Sequence, residues 1–443
     1  MLTTLAAPAF AGTWYIEDGN ITISAGTEAG TNKVEQAGKD TVDNDKDTII
    51  TNQNKDTASS NTVTIDAGSD KVEVTLKDVN IDTSSRNKAA VSVTGSGNTT
   101  IKLDGDNHLT GGNGIYSNSS LTISGDENDS LTAQGGDSRS GISSSSGVTV
   151  SDGTVTANGG NGGNVSGDGI RSGGVVTISG NTVNAAGGDS KDGYGGDGIR
   201  SGGGVTISGN TVNAAGGNGG KVGGYGICSF DRVAISGGTV EAAGGSSGSS
   251  NGGSGIYSND IDLSGSLELT AKAGSPNGKA LSQKGSELDL NAIKDKLGPG
   301  AKVTVTDADG KVNQVSIPRP VEPEEPVIPE ESSSSSDGGP AAPSAPASPL
   351  PGLTVTDKSG AVISYTSTQS GNTLTVCVGR FTASLRASLS TLRQLRAEGI
   401  EVITFQTILC STTLSLDELL AMGGEDAEAV LTHRFTDSSL TVG

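Results

Sequence analysis

Short runs of alternating apolar and polar residues recur through the middle of the chain, about every 28 residues. Residues 167–188 return almost unchanged as residues 196–217, the one difference being Val175 in the first copy and Gly204 in the second. Each copy contains three such runs, GIRS, VTIS and TVNA in the first. Alternation with period two places the apolar side chains on one face of a β-strand. A unit this short cannot bury that face alone, so we expect the copies to stack as a solenoid.

The motif Gly-Ile-x-Ser opens each unit. Its six isoleucines are spaced 27, 28, 29, 28 and 29 residues apart: Ile115, Ile142, Ile170, Ile199, Ile227 and Ile256. Because no helical stretch separates the three runs, they predict an all-β fold, a right-handed parallel β-helix with three strands per coil. We expect the isoleucines to form an inward column with the serines as a polar ladder beside it. The repeat-phased glycines are expected to allow turns with positive φ.

Changes in composition divide the rest of the chain. Residues 12–85 have strand-like runs without the motif and are predicted to form an N-terminal cap and irregular coils, whereas residues 86–317 form the β-helix, ending in a short helix and a hairpin. Ten of the thirteen prolines lie within residues 318–352, which predicts an extended Pro/Ser-rich linker. Residues 353–443 are predicted to form a small α+β module with one short helix capped by Ser388 or Ser390.

The N-terminus and the charge indicate an exported protein. Residues 1–11 are small and apolar and end in Ala-Phe-Ala, which resembles the end of a signal peptide with cleavage before Gly12. No later stretch is long and apolar enough to span a membrane. The net charge of −21 argues against a nucleic-acid partner. We therefore predict an extracellular or bacterial cell-surface location. Three cysteines do not form a disulfide framework, and a bond between Cys377 and Cys410 is left open.

Two aspartates in the duplicated coils are the best candidates for a metal site. Asp168 with Arg171, and Asp197 with Arg200, occupy equivalent positions on neighbouring coils, about 4.8 Å apart. If the aspartates point outward, one Ca²⁺ could bridge them. Alternatively, each aspartate pairs with an arginine or caps a turn, and a glycosidase-type carboxylate pair is the third reading.

A second candidate site is the position that follows each repeat isoleucine, since it is expected to point outward. Its members are Tyr116, Ser143, Arg171, Arg200, Cys228 and Tyr257. Aromatic rings pack on sugar rings and arginine binds carboxylates, so this column could bind a chain of uronic acids. Tyr194 and Tyr225 in nearby glycine-rich loops could border it. The alternative is an ordinary solvated strand face.

Catalytic groups are scarce. The only histidines, His108 and His433, fall in different predicted domains, and no HExxH, CxxC or P-loop motif occurs. We therefore predict that the protein is not an enzyme.

The coil pattern GxGIxSxGxVTISGxTVxAxGG, found at residues 141–245, resembles the right-handed parallel β-helix carbohydrate-binding proteins on the surfaces of clostridia and related Firmicutes. That resemblance implies a secreted, non-catalytic binder of polysaccharide, with acidic pectin-like chains and calcium as the best-known case. Pectate-lyase-type enzymes share this helix, so a polysaccharide lyase is a third hypothesis. The second is a structural or adhesive stalk that presents the C-terminal module, which is expected to dock to the cell envelope or to another protein.

Overall fold

The computed structural model describes residues 12–318, 352–357, 362–363, 365–378, 380, 382–407, 411–422, 427–434 and 437–442. The chain splits into two compact units, Met1–Glu325 and Pro326–Gly443. The predicted signal segment and residues 319–351 of the predicted linker lie outside the described residues.

The first unit is a parallel β-solenoid of about 11 turns with coils of about 28 residues. Three stacks of strands, here called the first, second and third faces, run along it. The first face contains Ile21–Ala25, Val63–Asp66, Val91–Thr94, Ile115–Ser117, Ile142–Ser144, Ile170–Ser172, Ile199–Ser201, Ile227–Ser229, Ile256–Ser258 and Leu281–Gln283. The second contains Thr13–Tyr15, Ile49–Thr51, Val72–Lys77, Thr99–Asp104, Leu121–Ser124, Val148–Val150, Val176–Ile178 and Asp260–Leu263. The third contains Asn80–Asp82, Asp106–Gly111, Ser130–Gly135, Thr154–Asn158, Thr182–Ala186, Leu267–Lys272 and Lys302–Thr306. Gly204–Ala215 and Arg232–Ala243 each span the second and third faces.

Equivalent residues of neighbouring coils pair in register along the first face. Ile170 pairs with Ile199, and Ile199 with Ile227, and all six motif isoleucines are fully buried. The predicted inward column is therefore confirmed. The motif serines are buried as well, and their hydroxyl groups lie against backbone carbonyls of the turns. Ser201 Oγ, which has one hydrogen to donate, lies 2.6 Å from Gly174 O in the preceding coil and 2.8 Å from Gly204 O in its own. This serine ladder fixes one coil to the next without breaking the apolar core.

Parallel pairing begins well before the first motif. Thr13–Tyr15 pairs with Ile49–Thr51, and Ile21–Ala25 pairs with Val63–Asp66. The irregular part is an antiparallel extension of Ile21–Ala25, formed by Asn32–Gln36 and Val42–Asp45. Two 3₁₀ helices, Ile16–Asp18 and Ser84–Arg86, lie in this region.

The C-terminal end of the solenoid is closed as predicted. Leu290–Lys296 forms a 3₁₀ helix whose first turn is capped by the side chain of Asp289. Val312–Ser316 folds back antiparallel on Lys302–Thr306, which is the expected hairpin. The short strand Ser286–Glu287 pairs antiparallel with Leu281–Gln283.

Within the motif coils, residues 114–260, the expected positive φ of the glycines is found at only one joint. Gly153 (φ +80°) and Gly238 (φ +79°), between the second and third faces, have the left-handed conformation that favours glycine. In the loops before the first face the constraint is close approach instead, because a Cβ on Gly196 would lie 1.8 Å from Gly167 O. A Cβ on Gly224 would lie equally close to Gly196 O. These glycines let the backbones of successive coils touch.

The second unit is the predicted small α+β module, with two sheets and two helices. One sheet contains Leu353–Thr356, Val362–Ile363, Thr382–Ser388, Glu428–Arg434 and Asp437–Val442. The other contains Thr366–Ser370, Thr373–Cys377, Val402–Gln406 and Ser411–Ser415. Helix α1 (Leu389–Ala397) is capped by Ser388, whose Oγ accepts the N–H of Thr391 at 3.2 Å.

Two elements of this unit were missed. The strand Thr382–Ser388 runs directly into α1, so no turn residue marks the boundary, and α2 (Leu416–Ala421) is too short to show helical periodicity. The proposed partner of Cys377, Cys410, lies outside the described residues.

We expect Gly196→Ala to destabilise the solenoid by about 1–3 kcal/mol or more, because its methyl group would overlap Gly167 O. Gly163→Ala is the matched control, since a Cβ at Gly163 meets no atom within 4 Å. Thermal unfolding followed by circular dichroism should show a clear drop for the first variant and little change for the second. Equal unfolding temperatures would contradict the close-approach explanation.

Candidate functional site

The residue two positions before each motif isoleucine forms a ladder through the duplicated coils. The N–H of Asp168 donates to Ser140 Oγ at 3.3 Å, and the N–H of Asp197 donates to Asp168 Oδ1 at 2.8 Å. The N–H of Tyr225 donates to Asp197 Oδ1 at 2.8 Å. Each carboxylate thus binds the backbone of the next coil, and we call Asp168 and Asp197 the carboxylate ladder.

Each ladder carboxylate also faces the arginine three residues later. Arg171 Nη1 lies 3.5 Å from Asp168 Oδ2, and Arg200 Nη1 lies 3.0 Å from Asp197 Oδ2. The two aspartate side chains are only 7% and 5% exposed, whereas those of Arg171 and Arg200 are 58% and 33% exposed. The aspartates therefore do not point outward. In this cluster solvent reaches the guanidinium groups of the arginines and not the carboxylates of the aspartates.

Burial raises the pKa of both carboxyl groups of the ladder. Removal from water, together with repulsion from Asp168, raises the pKa of Asp197 to about 7, although the contacts with Tyr225 N–H and Arg200 oppose this shift. Burial likewise raises the pKa of Asp168. Near neutral pH Asp197 is therefore only partly ionised, although Arg200 lies next to it.

The carboxylate ladder fits calcium poorly as it stands. Oδ1 of each aspartate accepts a backbone N–H, and Oδ2 faces a guanidinium group, so a Ca²⁺ ion would have to displace these partners. A Ca²⁺ ion takes six to eight oxygen ligands. Within the described ranges, no group of three or more His, Cys, Asp or Glu residues could hold a metal ion.

The column after the motif isoleucines faces outward for most of its length. Tyr116 is exposed, Tyr257 is half-buried, and Arg171 pairs in register with Arg200. Cys228 differs, because it is fully buried beside Asp197 and Arg200, and burial raises the pKa of its thiol. Tyr116 stands apart from the arginines, since Ser143 occupies the coil between them.

Aromatic rings extend the arginine surface toward the C-terminal coils. The rings of Tyr225 and Tyr257 stack with centroids 4.9 Å apart and an interplanar angle of 19°. Phe230, which sequence reasoning missed, is 50% exposed, and Arg200 Cζ lies 5.1 Å from its ring centroid. Phe230 follows the motif rather than lying in the column, so no repeat position marked it. We call Arg171, Arg200, Tyr225, Phe230 and Tyr257 the aromatic–arginine patch.

The remaining candidates lie elsewhere. Tyr194 is 53% exposed and belongs to the loops before the first face, which also stack in register, with Tyr194 bridging to Val165 and Val222. His108 is exposed on the third face. His433 belongs to the second unit, where its ring nitrogens contact the hydroxyl groups of Thr407 and Thr412.

Comparison with protein-family models, curated proteins and solved structures finds no match to this chain. The parallel β-solenoid agrees with the fold that the coil pattern predicted. Among the described residues, no helix has the length and apolar character needed to cross a membrane.

The raised pKa of Asp197 predicts that the solenoid loses stability as the pH rises. Its folded-state pKa of about 7 lies above the ordinary 3.8. Between about pH 4 and pH 7 the folded protein therefore keeps a proton that the unfolded chain has already released. This contribution is therefore largest below pH 4 and is lost by pH 7, with an upper limit of about 4 kcal/mol.

In Asp197→Asn, thermal unfolding temperatures should decline less steeply across this pH range, and at pH 8 the variant should match or exceed the wild type. Asp189→Asn is the control, because Asp189 also accepts a backbone N–H from the next coil, that of Asn218 at 2.6 Å, but is exposed. Identical pH profiles for Asp197→Asn and the wild type would show that ionisation of this carboxyl group does not matter.

Proposed function

We propose that the protein is a secreted or cell-surface, non-catalytic carbohydrate-binding protein and that the aromatic–arginine patch contacts an acidic polysaccharide. The observation that carries this proposal is the pair of partly exposed guanidinium groups of Arg171 and Arg200 on adjacent coils, next to the aromatic side chains of Phe230, Tyr225 and Tyr257.

The chemistry of the patch suits a polymer of sugar acids. A guanidinium group binds a carboxylate through two parallel hydrogen bonds, and aromatic faces pack against the apolar face of a sugar ring. Because coils repeat about every 4.8 Å, a chain laid along the solenoid axis would meet these groups in succession. Tyr116 and Tyr194, which lie outside the patch, would extend this surface in a longer complex.

A protein of net charge −21 repels an acidic polymer in general, so binding at the patch depends on how much positive charge the arginines keep beside the carboxylate ladder. Ionised Asp197 offsets the charge of Arg200, whereas protonated Asp197 leaves it free to bind a ligand carboxylate. Since the pKa of Asp197 is about 7, lowering the pH from 8 to 6 should strengthen binding to a polyuronate whose own carboxyl groups stay ionised.

We expect the double variant Arg171→Ala, Arg200→Ala to bind polygalacturonate at least about tenfold more weakly than the wild type, because two charge-assisted contacts are lost. The matched control is Arg86→Ala, Arg232→Ala, which removes the same charge outside the patch. Affinity is measured by isothermal titration calorimetry at pH 6 and pH 8. If both double variants lose the same affinity, the effect comes from net charge alone. If the first double variant binds as tightly as the wild type, the patch is not the binding site.

Calcium and catalysis are tested with the same protein. We expect no cleavage of pectin, polygalacturonate or alginate with added calcium, measured by the absorbance of unsaturated products and by new reducing ends. If the wild type cleaves one of these polysaccharides and Asp197→Asn does not, the protein is a polysaccharide lyase or hydrolase instead. Binding that requires calcium and is lost in Asp168→Asn and Asp197→Asn would support the bridging-ion hypothesis.

The stalk hypothesis has its own support, namely a solenoid of about 11 turns that precedes a separate compact unit. Under that hypothesis residues 353–443 dock to the cell envelope or to another protein. Removal of this module should then abolish attachment to cells, while the arginine variants of the solenoid attach normally and no acidic glycan binds.

A further inference from the structure

A fully buried carboxylate lies at the N-terminal end of the solenoid, where Asp45 ends the strand Val42–Asp45. Its Oδ1 accepts the N–H of Gly12 at 2.8 Å, and its Oδ2 accepts the Nε1–H of Trp14 at 3.0 Å. Both donors are neutral groups, a backbone N–H and an indole N–H, and no ion pair to Asp45 is found in the part of the chain that the structure describes. A carboxylate removed from water is costly without a positive partner.

The nitrogen of Gly12 is held against this carboxylate by its surroundings. The carbonyl oxygen of Gly12 accepts the N–H of Ile49 at 2.9 Å, which continues the pairing of Thr13–Tyr15 with Ile49–Thr51. A Cβ at Gly12 would lie 2.4 Å from Asp45 Oδ2 and 2.6 Å from Trp14 Nε1. Only glycine therefore brings its nitrogen this close to both groups.

Gly12 is also the residue that follows the predicted cleavage motif Ala9-Phe10-Ala11. We propose that a leader-removing protease hydrolyses the Ala11–Gly12 peptide bond and that the new α-ammonium group of Gly12 pairs with Asp45. In this step water adds its hydroxyl group to the carbonyl carbon of Ala11, and the released nitrogen of Gly12 becomes a protonated amine. The buried carboxylate is thus a receptor for the mature N-terminus.

The pair would change the N-terminal end of the solenoid on maturation. Before cleavage the Gly12 nitrogen is a neutral amide with one hydrogen, whereas afterwards it carries a positive charge and three hydrogens for the same carboxylate. Among the described strands, Thr13–Tyr15 pairs only with Ile49–Thr51, so it is an edge strand that this contact fixes in place. Cleavage one bond earlier would leave the Gly12 nitrogen an uncharged amide, and cleavage one bond later would remove it.

The cleavage site is tested by secreting the full chain from a bacterial host, with the basic start and apolar core of an export signal but no second cleavage site placed before Met1, and determining the N-terminal residue of the product by mass spectrometry. We expect Gly12. A different first residue, or an intact Met1, would overturn the proposal.

The ion pair is tested on the protein that begins at Gly12 by its rate of reaction with an amine-reactive ester at pH 8. Pairing with Asp45 keeps the α-amine protonated, so we expect the wild type to react at least about tenfold more slowly than Asp45→Asn. Asp43→Asn is the control, because Asp43 is an exposed carboxylate on the same strand. Equal rates in all three proteins would overturn the pairing.

A second measurement needs no substitution at Asp45. Acetylation of the Gly12 amine removes its charge, and we expect the acetylated protein to unfold a few degrees below the free-amine form, by about 2–4 °C for each kcal/mol lost in a unit of this size. Identical unfolding temperatures would again reject the ion pair.

Discussion

In-register stacking of identical backbones is the constraint on which the rest of this protein depends. Each coil hydrogen-bonds to the next at every face, so a side chain always meets its equivalent from the neighbouring coil. At Gly167, Gly196 and Gly224 the contact is backbone to backbone, and even a methyl group does not fit. The high glycine content is therefore a packing requirement of the folded state.

The same stacking accounts for the unusual electrostatics of the duplicated coils. A copied coil places its aspartate beside the one it was copied from, and Asp168 and Asp197 consequently share one buried column. The backbone N–H groups of the next coil supply part of the compensation, and Arg171 and Arg200 supply the rest. The contacts that hold these coils together therefore also determine how much positive charge reaches solvent.

The fold followed from the sequence because it depends on local alternation and a fixed period, as the buried column from Ile115 to Ile256 shows. The sequence predicted the candidate site less completely than the fold. Arg171, Arg200 and Tyr257 could be assigned to one column, but the burial of Asp168, Asp197 and Cys228 depends on how the glycine-rich loops pass over the first face. Phe230 occupies a coil position that is Gly202 in the preceding coil, and Gly12 and Asp45 precede the repeat, so periodicity could not reveal these contacts.

The serine ladder and the glycine contacts have a consequence for how such a chain changes over generations. A deletion of one residue inside a strand would misalign the hydrogen bonds of that strand, whereas the joints absorb such changes, because in-register coils are 27 to 29 residues long. Gain or loss of a complete coil leaves each interface intact. Large length variants should therefore come in steps of one whole coil, such as the 29 and 28 residues that separate Ile170, Ile199 and Ile227. The near-identical pair of coils at residues 167–188 and 196–217 is what the most recent such step would leave behind.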